Sequence, residues 1–320
     1  MSLGDLPGVG SGMRELGLRF NLVSLLPTTT LALFVLALFA SGVPEHAPSI
    51  HRLLTNVDQL SAKQIAAVSV LVLLVALIFH PLQLSLVRLL EGYWGPSTLG
   101  SSLSAIGVEL HRRRRERLAE LAEQESGGSE TGRLKVWATS EYEAYPAEDR
   151  LLPTSLGNTL RAAEDSVSAT YGLPAVATMP RLYPCMSDRF ARMFADLRNQ
   201  LDISTRFCVT LLIATLVSAS ILLPYPRWLA VPAVTGGLSW VSYRAAVRAA
   251  ARYGEALHAA FDLFRFDLLK ALHLKLPYDA AQERRINQTL EDLFVGKLPP
   301  SALFVTYEHP ESGDGGGRTP

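Results

Sequence analysis

Residues 64–87 read QIAAVSVLVLLVALIFHPLQLSLV, without one Asp, Glu, Lys or Arg. At about 1.5 Å per residue, a helix of this length covers a hydrocarbon core of roughly 30 Å with some tilt. Water-soluble cores rarely need so long an uninterrupted apolar run, so the stretch reads as a membrane span. Three further runs read the same way: residues 22–42, 207–224 and 228–243. The last is the shortest, but Arg227 and Arg244 at its ends can snorkel, so a short stretch still crosses.

The first run resembles the core of a secretory signal, with small residues in LFASG near its end. Its apolar region is too long for that, and a second span follows it, so an uncleaved span is expected. The whole chain of 320 residues is 48% hydrophobic and has no net charge; its mean hydropathy is +0.19. Apolar content gathered in blocks defines the multi-pass membrane class. Zero net charge gives no general attraction to nucleic acid. Cys185 and Cys208 stand alone, and neither a disulfide nor a thiolate metal site is expected.

Orientation follows from Lys and Arg in the flanking loops. Arg14 and Arg19 precede the first run. Arg88 and Arg112, Arg113, Arg114 and Arg115 follow the second. Arg206 precedes the third, and Arg244, Arg248 and Arg252 follow the fourth. Both termini and the long middle segment are therefore expected in the cytosol. Tyr225, Trp228 and Tyr243 mark span ends, where amphipathic rings favour the interface.

The resulting fold class is an all-α integral membrane protein with four transmembrane helices in two hairpins. A cytosolic N-terminal segment, 1–19, leads into hairpin one, 20–96. A small, mainly helical cytosolic module follows, 97–186, with a flexible break near 126–132. Within it residues 105–124 read as a helix dense in charge. Leu134, Val136 and Ala138 alternate with polar neighbours, as a strand would. Thr154 or Ser155 can start a helix that Gly172 stops, and MPRLYP, 179–184, reads as a rigid connector. Hairpin two, 187–273, has a turn, LLPYPRW, so short that its arms must be antiparallel neighbours. Those arms continue past the bilayer as a helical stalk, with bends expected at Pro232 and Gly236–Gly237. A helix in 274–298 and a disordered tail, 299–320, complete the chain, and the Gly-rich residues 1–12 are expected to be disordered.

Several side chains are candidates for chemistry. His80, in the second span beside Pro81, could relay a proton or hold a ligand; a neutral imidazole bonded to a carbonyl freed by the proline accounts for it equally. Glu255, His258 and Asp262 share one helix face at metal-binding spacing. The facing arm offers no matching ligand set, and a salt-bridged face with Arg252 and Arg265 is the simpler account. Arg112, Arg113, Arg114 and Arg115 suit anionic lipid headgroups, at about 1 kcal/mol each close to the surface; pairing with Glu109, Glu116, Glu120 and Glu123 is the alternative. Leu257, Phe261, Phe264 and Leu268 form a heptad-like seam, an interaction surface for a partner or for a second copy. No phosphate loop, nucleophile elbow or zinc-helix motif occurs, so catalysis is not expected and no cofactor is implied.

Three stretches carry a resemblance: RLLEGYWG at 88–95, LPTSLGNTLRAAEDSVSATYGL at 152–173 with MPRLYP, and YGEALHAAFDLFRFDLLKAL at 253–272. Together the chain resembles multi-pass bacterial membrane proteins to which no activity is attached. The resemblance implies a bacterial inner or plasma membrane and transfers no site. The leading expectation is a membrane-anchored scaffold or interaction protein. Its partners are the lipid bilayer and either a second copy or a membrane or cytosolic protein, with no nucleic acid. The competing expectations are a homo-oligomeric channel lined by Thr210, Thr215, Ser218 and Thr235, and a metal-dependent membrane enzyme at Glu255, His258 and Asp262.

Overall fold

The computed structural model describes residues 26–79, 83–124, 129–297 and 307. Among these residues the regular structure is helical, with no strand; one isolated antiparallel bridge pairs Leu274 with Tyr307. The expected disordered start, most of the tail and residues 125–128 of the expected break lie outside the described residues, as does His80.

Eleven α-helices run in chain order among the described residues: α1 (Leu26–Ala40), α2 (Ile50–Asp58), α3 (Ala62–Phe79), α4 (Gln83–Glu91), α5 (Thr98–Glu123), α6 (Ser129–Glu143), α7 (Ser155–Tyr171), α8 (Ala175–Leu182), α9 (Asp188–Leu222), α10 (Ala230–Ala271) and α11 (Ala280–Phe294). They divide into two units. The first holds α1 to α4, α5 up to Arg113, residues 152–157, and the parts of α9 and α10 within 197–250; the second holds the rest.

In the first unit α1 packs on α2 and α3. Asn56 Nδ2 donates to the Ala40 carbonyl at 2.8 Å, satisfying an acceptor that the end of α1 leaves open. α3 opens with a capping box. The Ser61 N–H donates to Gln64 Oε1 at 2.9 Å and the Gln64 N–H to Ser61 Oγ at 3.4 Å. Leu38, Val43 and Leu222 form a small core with Phe34, Ile221, Tyr225, Trp228 and Val231. It joins the end of α1 to the α9–α10 turn.

The antiparallel hairpin is present. Thr215 Oγ1 donates to Thr235 Oγ1 at 3.0 Å, and Ser239 Oγ to the Cys208 carbonyl at 2.9 Å. α10 is one continuous helix through Pro232 and Gly236–Gly237, the positions where the sequence predicts bends. Pro232 falls in the first helical turn, where its missing N–H is not needed. A methyl on Gly236 would lie 3.4 Å from Thr215 Cγ2, in ordinary van der Waals contact across the two arms.

Four crossing helices are not what the described residues display. One helix, α9, is long and apolar enough to cross a membrane. Only 33% of its apolar window is buried within the protein, unlike the core helix of a soluble domain. α2 and α3 meet the same test only when taken together across a 110° bend. α1, with 15 residues, reaches about 22 Å, short of a roughly 30 Å core. The apolar part of α10 is interrupted by Arg244.

The second unit is a helical core. Phe261, Leu268, Leu257, Val167, Leu173, Leu182 and Ala138 are buried in it. Phe190 of α9 meets Phe264 of α10 edge-on, with ring centroids 5.1 Å apart, and Phe194 lies 5.0 Å from Tyr253. Gly254 brings α10 against α7, since a methyl there would sit 2.6 Å from Ala163 Cβ.

Two local expectations are corrected here. Residues 134–138 lie in α6, not in a strand. Ala138 is its buried position, with Lys135 and Tyr142 half-buried at three and four residues to either side, while Val136 is exposed. MPRLYP is not a connector: it spans the end of α8 and a short 3₁₀ turn, Tyr183–Cys185.

Candidate functional site

Glu255, His258 and Asp262 lie on α10 in the second unit, where α7 and α11 bring further ionisable side chains beside them. Thr154 Oγ1 accepts from the Gly157 N–H at 3.1 Å and so starts α7. Gly172, at φ +69°, ends it. This places Ser166 and Tyr171 on the face that meets α10. Asp279 accepts from the Gln282 N–H at 2.6 Å and starts α11, which aims Glu283 and Asn287 back at the end of α7.

His258 Nε2 lies 2.5 Å from Ser166 Oγ. The same hydroxyl lies 2.9 Å from the Ala163 carbonyl, so its single proton serves one acceptor at a time. The Tyr171 hydroxyl donates to Asp262 Oδ1. Arg265 is the hub. Its Nε lies 2.8 Å from Glu283 Oε1, its Nη1 donates to the Asp262 carbonyl at 2.5 Å, and its guanidinium lies 5.0 Å from the Tyr171 ring. Asn287 Nδ2 donates to the Tyr171 carbonyl at 2.7 Å, filling an acceptor left open at the end of α7.

Burial, then the hydrogen bond and charge of Asp262, push the Tyr171 phenol up to about 12. Desolvation raises the Asp165 carboxyl above its ordinary value, against the opposing pull of Arg150 at 2.9 Å. Burial, and then the charge of Asp267, raise the Cys185 thiol, so little thiolate is available for nucleophilic chemistry at neutral pH.

This arrangement corrects the metal expectation for Glu255, His258 and Asp262. His258 and Asp262 are each turned to a partner on α7, and Glu255 is exposed. Among the described residues no three His, Cys, Asp or Glu side chains are grouped to hold a metal ion. The Ser166–His258 pair is also unsuited to acyl transfer. Ser166 sits mid-helix, where backbone N–H groups are spent on the helix ladder and cannot form an oxyanion hole. The cluster ties three helices together.

The seam is corrected as well. Leu257, Phe261 and Leu268 are buried inside their own unit, Phe261 stacks near Tyr171 with centroids 6.0 Å apart, and Phe264 meets Phe190. Three of the four are core, and Phe264 is half-buried against Phe190.

The arginine run is engaged at each position. Arg112 and Arg113 share the Glu109 carboxylate at 3.4 and 2.7 Å. Arg114 reaches Glu141 at 2.9 Å. Arg115 donates to the Tyr142 hydroxyl at 2.8 Å and lies 4.8 Å over its ring. Glu109 was legible from spacing alone. Glu141 and Tyr142 were not, because α6 read as a strand.

Comparison with family models, with curated proteins and with solved structures finds no match.

Proposed function

We propose that the chain is a membrane-anchored scaffold or interaction protein: its first unit is embedded in a bilayer, and its second unit is a cytosolic helical module that meets other proteins. The observation that carries this reading is the apolar surface of the first unit. Leu33 and Phe39 on α1, Val70, Leu71, Leu73 and Leu74 on α3, Leu212 and Leu216 on α9, and Val234, Leu238, Trp240 and Val241 on α10 are all exposed. So many exposed large apolar side chains on the helices of one unit mark a surface made for lipid or another protein. Lipid on several helices at once is the simpler cover.

On this reading the chain crosses four times, through α1, α3, the apolar part of α9 and the first part of α10. The excess of arginine beyond the second and fourth runs then keeps both termini and the second unit in the cytosol. The resemblance to bacterial multi-pass proteins points to an inner or plasma membrane. An interaction role, not a catalytic one, is supported by the second unit's ionisable groups: those in its central cluster are engaged in holding helices together. Its exposed Val136 and Trp137 on α6 are open to a partner.

Native mass spectrometry of the protein, gently extracted from its own membrane, tests the proposal. A complex with another protein is the expected result. A closed homo-oligomer that conducts ions would replace it with the channel reading, and a bare monomer would contradict it. Three of the four channel-lining candidates already have partners within the hairpin: Thr215 bonds Thr235, and Ser218 is buried with its hydroxyl donating to the Ala214 carbonyl at 2.7 Å.

A further inference from the structure

α5 carries an apolar stripe that nothing in the first unit covers. Leu99, Leu103, Ile106 and Leu110 recur at four, three and four residues and are 77%, 56%, 59% and 63% exposed. That spacing holds them on one narrow face. The adjoining flank is held by packing: Gly107 lies against Pro153, and a methyl on it would sit 2.5 Å from Pro153 Cβ. The helix therefore cannot roll its stripe inward without parting from residues 152–157. Three leucines and an isoleucine left in water forgo the gain of burial, so the stripe calls for a cover.

The chemistry of the cover follows from what continues the stripe. The next two positions at the same spacing are Arg113 and Arg117. A second copy seated in parallel on α5 along this seam would bury those arginines against each other, and an antiparallel copy would bury them against its leucines. The apolar part is also far shorter than the three to four heptads, roughly, that a coiled coil sustains. A lipid surface takes both halves at once: acyl chains for the leucines, headgroup phosphates for the arginines. Charge agrees: Arg112 and Arg113 share the Glu109 carboxylate, Arg114 reaches Glu141, and Arg115 donates to the Tyr142 hydroxyl. These ion pairs are solvent-exposed and weak, and yield readily to phosphate.

We infer that α5 is an interfacial helix. It lies at a slant on the bilayer surface, Leu99 deepest and Leu110 shallowest, with Arg113 and the neighbouring arginines on anionic headgroups. The inference rests on the membrane-anchored reading of the first unit.

The test uses the full chain with Cys185→Ser and Cys208→Ala. Single cysteines are placed in turn at Leu99, Leu103, Ile106, Leu110, Ser102, Ala105 and Leu216, and each is labelled with a nitroxide. The protein is reconstituted into phosphatidylcholine vesicles containing phosphatidylglycerol. Collision of each label with oxygen, which concentrates in lipid, is compared with collision with a water-soluble nickel chelate. The expected result is a several-fold higher oxygen-to-nickel ratio at the four stripe positions than at Ser102 and Ala105, falling from Leu99 to Leu110. Leu216 on α9 reports on the parent reading. Oxygen preference at Leu216 with nickel preference along the stripe would overturn the interfacial helix alone. Nickel preference at both would overturn the membrane reading with it. Spin–spin broadening between labels at Leu103 or Ile106 would assign the stripe to a second copy and overturn the lipid assignment.

Discussion

The Tyr225 hydroxyl donates to the carbonyl of Pro44 at 2.9 Å, across 181 positions of chain. One partner lies in the α9–α10 turn and the other in the connection after α1. Both turns therefore occupy the same end of the first unit. Residues 152–157 meet other parts of that unit: the Leu156 N–H donates to the Tyr243 hydroxyl at 3.2 Å, and Gly92 lies against Pro153.

That pairing sets a topological prediction. With the native cysteines replaced, His46→Cys and Leu223→Cys react with a membrane-impermeant maleimide from the same side of sealed vesicles. Ser102→Cys reacts from the other. Labelling of His46→Cys and Leu223→Cys from opposite sides would be incompatible with the Tyr225–Pro44 contact.

Close backbone approach predicts a split among glycines. A methyl on Gly157 would lie 2.0 Å from the Glu91 carbonyl oxygen, so Gly157→Ala forces α7 away from the end of α4 and lowers the melting temperature markedly. Gly237 has open space around its would-be Cβ. Gly237→Ala is neutral or raises stability by about 0.5–1 kcal/mol, through helix propensity. Thermal unfolding in detergent distinguishes the two.

Burial of the seam predicts that Phe261→Ala weakens the second unit itself, by about 3–5 kcal/mol. Leu263, on the same helix but exposed, tolerates Ala within about 0.5 kcal/mol. Limited proteolysis reads the difference: Phe261→Ala is cut rapidly within the second unit, and Leu263→Ala resembles the parent. A Phe261→Ala chain that stays resistant while losing a partner would return the seam to the role of an interface.

Tyr171 gives the chain an alkaline limit. Its phenol ionises at about 12 when folded, against an ordinary 10.0. Above pH 10 the unfolded chain sheds this proton while the folded chain keeps it, so the folded state binds more protons and stability falls as pH rises. The contribution is present in full below pH 10 and lost as pH climbs through about 12. Tyr171→Phe flattens the loss of stability over that window, measured by denaturant unfolding at several pH values.

Much of the helical order was legible because its signals are local. The short turn LLPYPRW pairs α9 with α10, Thr154 starts α7, and Gly172 stops it. Other features depend on contacts that no window of sequence contains. Leu134, Val136 and Ala138 alternate by coincidence; the packing of Ala138 and Tyr142 selects the helix. α5 begins at Thr98, ahead of the charged part, because Ser97 Oγ accepts from the Gly100 N–H at 3.1 Å, and Ser101 and Ser102 spend their hydroxyls on the Thr98 carbonyl. The heptad spacing of Leu257, Phe261, Phe264 and Leu268 identified an apolar face, but could not say that α7 and α9 of the same chain cover it. The Tyr171–Asp262 bond joins residues 91 positions apart, and with the Ser166–His258 pair it turns a metal-like spacing into a helix clasp.

The central claim is that lipid covers the apolar side chains of the first unit. Flotation of cell membranes through a density gradient, after an alkaline carbonate wash, tests it most directly. The protein is predicted to float with the lipid. Its release into the wash, or its recovery as free protein at the bottom of the gradient, would contradict the account.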